Sequence, residues 1–196
     1  MTQPWIQTLK GHKFCPLNPD PKLIDIGEIA RVLSRLPRFG GHTIGDLPYS
    51  VAQHSVMVSV LVPDRLALPA LLHDAHEAYS GFGDVASPMK QWRGFKEHCG
   101  WVEHGIDFAV AQHFRFNWSL FYHANITLAD RVALATEKRD LMAPEPCPWC
   151  EMPEPLDDTI DEIWVASEAE QWFLDRYDDL TTPLRYLSGA DCELER

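Results

Sequence analysis

The sequence lacks long apolar runs, and none of its hydrophobic stretches approaches the roughly 20 residues that a membrane-spanning helix needs. Its beginning, MTQPWIQTLKGHKF, also lacks the apolar stretch of a signal peptide. The five cysteines are odd in number and irregularly spaced, which is not the pattern of a disulfide framework. We therefore expect a cytoplasmic protein with reduced thiols.

Positive charge is also scarce. The chain has 17 Lys and Arg against 29 Asp and Glu, a formal net charge of −12. Because a nucleic-acid backbone is gripped by clustered Lys and Arg, this balance argues against a nucleic-acid partner. A small anionic substrate remains open, since a few local cations or one metal ion can reverse the sign of charge inside a pocket.

The remaining composition is that of an ordinary globular protein, with 196 residues of which 45% are hydrophobic and 23% are charged. This length suits one domain that can bury a continuous apolar core. We predict a single domain over residues 1–196, with a core at about 23–142 and a C-terminal helix at about 158–180 that packs on it.

Apolar residues recur at helical spacing in six or so segments, with little strand, which predicts an all-α helical bundle. The predicted helices run from Asp25 to Leu36, Val51 to Leu61, Asp64 to about Tyr79, about Gly94 to Phe114, about Leu128 to Met142, and near Asp158 to Leu180. Two short extended segments on either side of Gly11 predict a small N-terminal hairpin.

Four residues with metal-binding side chains lie in helical segments that are otherwise apolar enough for the core. His73 and Asp74 are neighbours in LLHDAHEAY, His54 lies in SVAQHSVMVSV, and Asp130 lies in ITLADRVAL. Taken singly, each is more often a hydrogen-bonded core residue or a cap. Together they bring two imidazoles and two carboxylates from three predicted helices, a ligand set suited to Zn, Mn, Co or Fe, with Mg as a further option.

The ordered pattern H…HD…D resembles the HD superfamily of metal-dependent phosphohydrolases. Further segments resemble its branch of small bacterial and phage 5′-deoxynucleotidases and deoxynucleoside triphosphate triphosphohydrolases, including those that act on dATP. These segments are RFGGH at Arg38, YSVAQHS at His54, HDAHEAY at His73, Asp84 followed by SPMK, and ADRVALATEKRDL at Asp130. The resemblance implies an HD-type bundle, hydrolysis of nucleotide phosphoesters and assembly into a homo-oligomer.

Three charged residues join the predicted ligands in this interpretation. Glu77 follows His73 by four residues, so on a helix both share one side, where Glu77 can relay a proton. Arg38 offers a planar fork to phosphate and Lys90 a point charge. The alternative for each is a solvated side chain. We take Glu77, Arg38 and the metal-binding Asp74 as the catalytic residues.

Residues in the flanking loops complete the predicted substrate site, which comprises Arg38, Phe39, His42, Asp84 and Lys90. His42 and Asp84 either touch the substrate or fix their loops. In the deoxynucleotidases, a Trp commonly follows the Arg and helps to exclude a 2′-hydroxyl. Phe39 stands there in this chain, which keeps an aromatic wall and leaves the sugar preference open.

Other interpretations remain to be separated from this one. One is hydrolysis of a signalling nucleotide, although the GYP motif of cyclic-dinucleotide HD domains is absent. The others are a nucleotide or metal sensor without turnover and a metal-free scaffold. HDAHE is neither H-E-x-x-H nor H-x-x-E-H, so it does not indicate a zincin protease.

Several other residues are assigned structural roles instead of catalytic ones. Glu137, seven residues after Asp130, orients a neighbouring group or pairs with a buried cation. Cys147 and Cys150 are half a zinc site, a redox pair or, as we favour, loop thiols. Four histidines are expected at the surface or an interface, and three aromatic residues in the core or a subunit contact. These are His98, His104, His113, His123, Trp164, Trp172 and Phe173.

Overall fold

The computed structural model describes residues 3–182, and these form an all-α fold with a small antiparallel hairpin near the N-terminus. The hairpin pairs β1 (Ile6–Gln7) with β2 (Lys13–Phe14), as predicted. Residues 3–182 contain eight α-helices, which are α1 (Ile26–Leu33), α2 (Val51–Val60), α3 (Asp64–Leu71), α4 (Glu77–Ser80), α5 (Ser87–Lys90), α6 (Phe95–Phe114), α7 (Ala124–Leu141) and α8 (Ala166–Thr181). The described part contains no helix long and apolar enough to cross a membrane.

Side-chain caps begin several of these helices close to the predicted residues. The carboxylate of Asp25 accepts from the backbone N–H of Glu28 at the start of α1, and the hydroxyl of Ser50 accepts from the N–H of Gln53 at the start of α2. The prediction for α7 was several residues late. The imidazole of His123 caps this helix by accepting from the N–H of Asn125.

The prediction of one helix from Asp64 to Tyr79 was wrong. α3 ends at Leu71, turns occupy residues 72–76, and α4 begins at Glu77. The ring of His73 explains the break, because its Nδ1 lies 2.8 Å from the carbonyl oxygen of Ala70, the group that a continuous helix would bond to the N–H of Asp74. The dipeptide His73-Asp74 therefore lies in a tight turn and not within a regular helix.

The last helix also begins later than predicted, at Ala166 instead of near Asp158. The amide of Gln53 holds the preceding segment extended, since it donates to the carbonyl of Glu162 (2.8 Å) and accepts from the N–H of Trp164 (3.0 Å). α8 packs on α1, α2 and α3. Phe173 is fully buried in the main core, whereas Trp172 is 53% exposed. Of the aromatic residues expected in the core or a subunit contact, Phe173 thus lies in the core and Trp172 lies at the surface.

The single-domain prediction over residues 1–196 remains a prediction, and its segments 1–2 and 183–196 lie outside the described residues. Cys192 lies there as well. Within residues 3–182 the apolar side chains form two buried clusters that share Leu180 of α8 at their edges. The side chain of His54, at the centre of α2, is completely buried.

Candidate metal centre

The four predicted metal ligands come together from α2, the α3–α4 turn and α7. Nε2 of His54 lies 3.2 Å from Oδ1 of Asp130, 3.4 Å from Nε2 of His73 and 3.7 Å from Oδ2 of Asp74. Nε2 of His73 lies 3.3 Å from Oδ2 of Asp74 and 4.0 Å from Oδ1 of Asp130. Two helices and a turn thus bring two ring nitrogens and two carboxylates together, with the donors of His54, His73 and Asp130 all within 4.8 Å of one another and Asp74 next to both rings.

The hydrogen bonds of the two rings determine which nitrogen faces that point. Nδ1 of His54 lies 2.6 Å from the carboxylate of Glu137, and Nδ1 of His73 lies 2.8 Å from the carbonyl of Ala70. Both partners only accept, so each Nδ1 donates and each neutral ring presents the lone pair of Nε2 to the centre. Two such lone pairs 3.4 Å apart repel unless a proton or a metal ion lies between them.

These distances fit a divalent transition metal. Bonds of about 2.1 Å to nitrogen and oxygen would separate neighbouring donors by about 3 Å and opposite donors by about 4 Å. His54 also has the carboxylate partner that commonly orients a metal-binding histidine. The side chain of Asp130 is 41% exposed while that of His54 is fully buried, so the centre is open on the α7 side. His54, His73, Asp74 and Asp130 would hold the ion.

The electrostatic environment of the centre favours a cation. Burial and Arg38 oppose a charge on His54, but the carboxylates of Glu137 and Asp130 outweigh them and raise its pKa to about 10. Burial would raise the pKa of Asp74, yet the neighbouring His73, His54 and Arg38 lower it, so this carboxylate remains ionised.

Arg38 lies behind the centre, in the turn Arg38–Gly41, and not free in a loop. Its Nη2 donates to Glu137 at 3.0 Å, and its Nη1 is 4.0 Å from Asp84. Asp84 also accepts from the backbone N–H of Phe39 at 3.1 Å. Its contacts therefore support the interpretation that Asp84 fixes the loop. Phe39 adopts a left-handed conformation with φ of 55°, a strained state for a non-glycine residue.

Glu77 is the buried acid next to the centre. Its side chain is almost completely inaccessible, and its Oε2 has no hydrogen-bond partner among the described residues. Burial and the nearby charge of Asp74 raise its pKa to about 8. A carboxyl group in this state can hold a proton near neutral pH and release it, which is what a general acid or base requires.

A second polar network lies next to Asp74, and the sequence did not predict it. His76 contacts Asp107 through Nδ1 (3.0 Å), and Asp107 accepts from the hydroxyl of Tyr122 (2.8 Å). Lys90 pairs with Glu103 of α6 at 3.0 Å. The carboxylates of Asp74 and Glu77 also come within 4.8 Å of a ring nitrogen of His76, a second group of donors that can hold a metal. The sequence contained one signal of this network, because the carboxylate of Asp107 interrupts the apolar face of α6.

The remaining predicted residues lie farther out. His42 is exposed, with its backbone N–H bonded to the carbonyl of Phe39. Cys147 and Cys150 are exposed free thiols. His98, His104 and His113 are exposed on α6, whereas His123 is partly buried.

The fold and the centre together define an all-helical protein with a candidate His/Asp metal site. The chain is 33% identical over 181 residues to the uncharacterized protein YfdR of Escherichia coli strain K12, covering 90% of this chain and 96% of YfdR. It is 36% identical over 140 residues to an uncharacterized protein of Rhodobacter capsulatus, covering 68% of each sequence. The chain belongs to the family of these proteins. No model of a known protein family matches it.

Proposed function

We propose that the protein is a metal-dependent phosphohydrolase of the HD type that acts on nucleotides. The observation that carries the proposal is the convergence of His54, His73, Asp74 and Asp130, with both Nδ1 atoms engaged by acceptors and both Nε2 atoms turned inward. A divalent ion held there would lower the pKa of water and polarise a phosphoryl oxygen.

The residues of the chain would handle charge and protons around the phosphate. Arg38 stays ionised because Glu137, Asp74 and Asp84 outweigh its burial and raise its pKa. Its Nε is buried without a hydrogen-bond partner among the described residues, and an anionic oxygen that reaches it would satisfy this donor. Lys90 also keeps its charge, since Glu103 and Asp74 outweigh its burial and raise its pKa.

Glu77 would exchange the proton of the reaction. With a pKa raised to about 8, it can give a proton to the leaving oxygen or take one from the attacking water. A sensor without turnover has no need for a carboxylate in this buried position, where its desolvation is costly.

The proposed substrates are deoxynucleotides. Attack at the α-phosphorus of a monophosphate gives nucleoside and phosphate, and the same attack on a triphosphate gives nucleoside and triphosphate. Phe39 would lie near the sugar, because Asp84 and Arg38 hold its turn against the centre. We also propose a homo-oligomer, which sedimentation analysis of the purified protein tests.

A substrate panel tests the proposal. Deoxy and ribo mono- and triphosphates are incubated with the protein and Mn, Co, Zn or Mg, and the products are separated by chromatography. We expect release of phosphate or triphosphate from deoxynucleotides. We expect Glu77→Ala to keep the metal and lose turnover, and the surface control Glu151→Gln to keep both. Absence of hydrolysis across the panel would defeat the proposal.

A further inference from the structure

A cleft beside the turn Arg38–Gly41 has no role in the chemistry described so far. Its volume is about 480 Å³, within the usual range for a small-molecule site. One wall is the segment 41–44, and the other is the segment 142–149 that follows α7, with Lys138 of α7 between them. The residues with side chains suited to a planar ligand are His42 and Trp149.

Aromatic contacts connect this cleft to the metal centre. The ring of Trp149 lies 6.4 Å from the ring of Phe39, centroid to centroid, and the guanidinium carbon of Arg38 lies 5.4 Å from the Phe39 ring. Arg38 in turn bonds to Glu137, which holds His54. Phe39 and Trp149 therefore connect Arg38, next to the centre, to the cleft.

Both walls of the cleft are held in place. The N–H of Ile44 donates to the carbonyl of Leu141 at 2.7 Å, which ties one wall to the end of α7. On the other wall, the ammonium of Lys138 lies 5.3 Å from the ring centroid of Trp149 and pairs with Glu145. The Trp149 ring is half-buried, so part of its surface stays accessible. A positioned ring costs little entropy when a ligand stacks on it.

We infer that this cleft binds the nucleobase of the substrate, with Trp149 as the stacking surface and His42 as a polar contact. The inference rests on the proposed function. It commits to a base because the indole of Trp149 offers a flat surface for a heteroaromatic ring, and the charges of Lys138 and Glu145 are already paired with each other. Trp149 is then a specificity-determining residue, brought to the site from outside the segments that carry the metal ligands.

The test compares a nucleotide with its base-free counterpart. Hydrolysis of dAMP, dATP and 2-deoxyribose 5-phosphate is measured for the native protein, Trp149→Ala, Trp149→Phe and the surface control Trp101→Ala, whose indole is 60% exposed on α6. Binding of dAMP to each protein in EDTA is measured by calorimetry. Unfolding curves verify that each variant folds.

For Trp149→Ala we expect KM and Kd for nucleotides to rise about tenfold, from the free energy of base–aromatic stacking, with kcat within about twofold. Deoxyribose 5-phosphate and Trp101→Ala would be unaffected, and Trp149→Phe would recover most of the affinity. The inference is overturned if KM and Kd for nucleotides are unchanged in Trp149→Ala, or if KM for the base-free phosphate rises equally. Turnover by the native protein would still uphold the proposed function in either case. If the native protein shows no turnover, the proposed function fails, and the binding of dAMP alone then tests the base site. Weaker binding of dAMP to Trp149→Ala would support the base site, and equal binding would refute it.

Discussion

Replacement of Glu137 by Gln should weaken metal binding without removing a ligand. Glu137 is fully buried, and its two oxygens bond separately to Nδ1 of His54 (2.6 Å) and Nη2 of Arg38 (3.0 Å). Arg38 and His54 outweigh burial and lower the pKa of Glu137 to about 2. The substitution keeps the shape and removes one negative charge that orients a predicted ligand.

Two magnitudes follow from this geometry. Loss of a carboxylate behind a metal-binding histidine typically costs about 10–100-fold in metal affinity. Loss of one partner of a buried ion pair leaves the other charge uncompensated, which costs about 3–5 kcal/mol, so the free energy of unfolding should fall by about 3 kcal/mol because Gln still accepts one bond.

The assay is calorimetric titration of Mn²⁺ or Zn²⁺ together with urea unfolding of the metal-free protein. Glu28→Gln is a matched control, since Glu28 is also buried but bonds to the N–H of Lys10 and faces Tyr79 instead of the centre. We expect the control to lose stability and keep its metal affinity. Equal metal affinity in Glu137→Gln and the native protein would refute the reasoning.

Two further predictions concern Glu77 and α8. Between pH 4.5 and about 8 the metal-free native protein holds a proton on Glu77 that the unfolded chain releases, so its stability falls as pH rises through this window. Urea unfolding of Glu77→Gln should lack this contribution, and parallel pH dependences would contradict the pKa. Phe173→Ala should lower the free energy of unfolding by about 3–5 kcal/mol because Phe173 is fully buried. Trp172→Ala, at a 53% exposed position, should change it by less than about 1 kcal/mol, and equal losses would contradict the packing of α8.

The helices could be predicted because their apolar residues repeat at the helical period, but several of their ends could not. α3 stops at Leu71 because the ring of His73 takes the carbonyl of Ala70, and periodicity does not reveal such competition. α8 starts late because Gln53, more than 100 residues away in sequence, holds residues 162–164 extended. The end of α3 is decided by a local bond from a side chain to the backbone, and the start of α8 by tertiary hydrogen bonds.

The convergence of side chains at the candidate metal centre could be predicted to a larger extent. His54 stood out as a polar side chain on an apolar face, and Glu137 shared the face of Asp130 at a spacing of seven residues. The bond from His76 to Asp107 and the contact of Trp149 with Phe39 join distant segments. No local pattern records these pairings.

The most direct test of the central claim is the anomalous difference map of a crystal grown with Mn²⁺ or Zn²⁺. We expect one strong peak about 2.0–2.3 Å from Nε2 of His54, Nε2 of His73 and the nearest carboxylate oxygens of Asp74 and Asp130. A crystal without a peak at these four residues, or with its strongest peak elsewhere, would contradict the assignment of the metal centre.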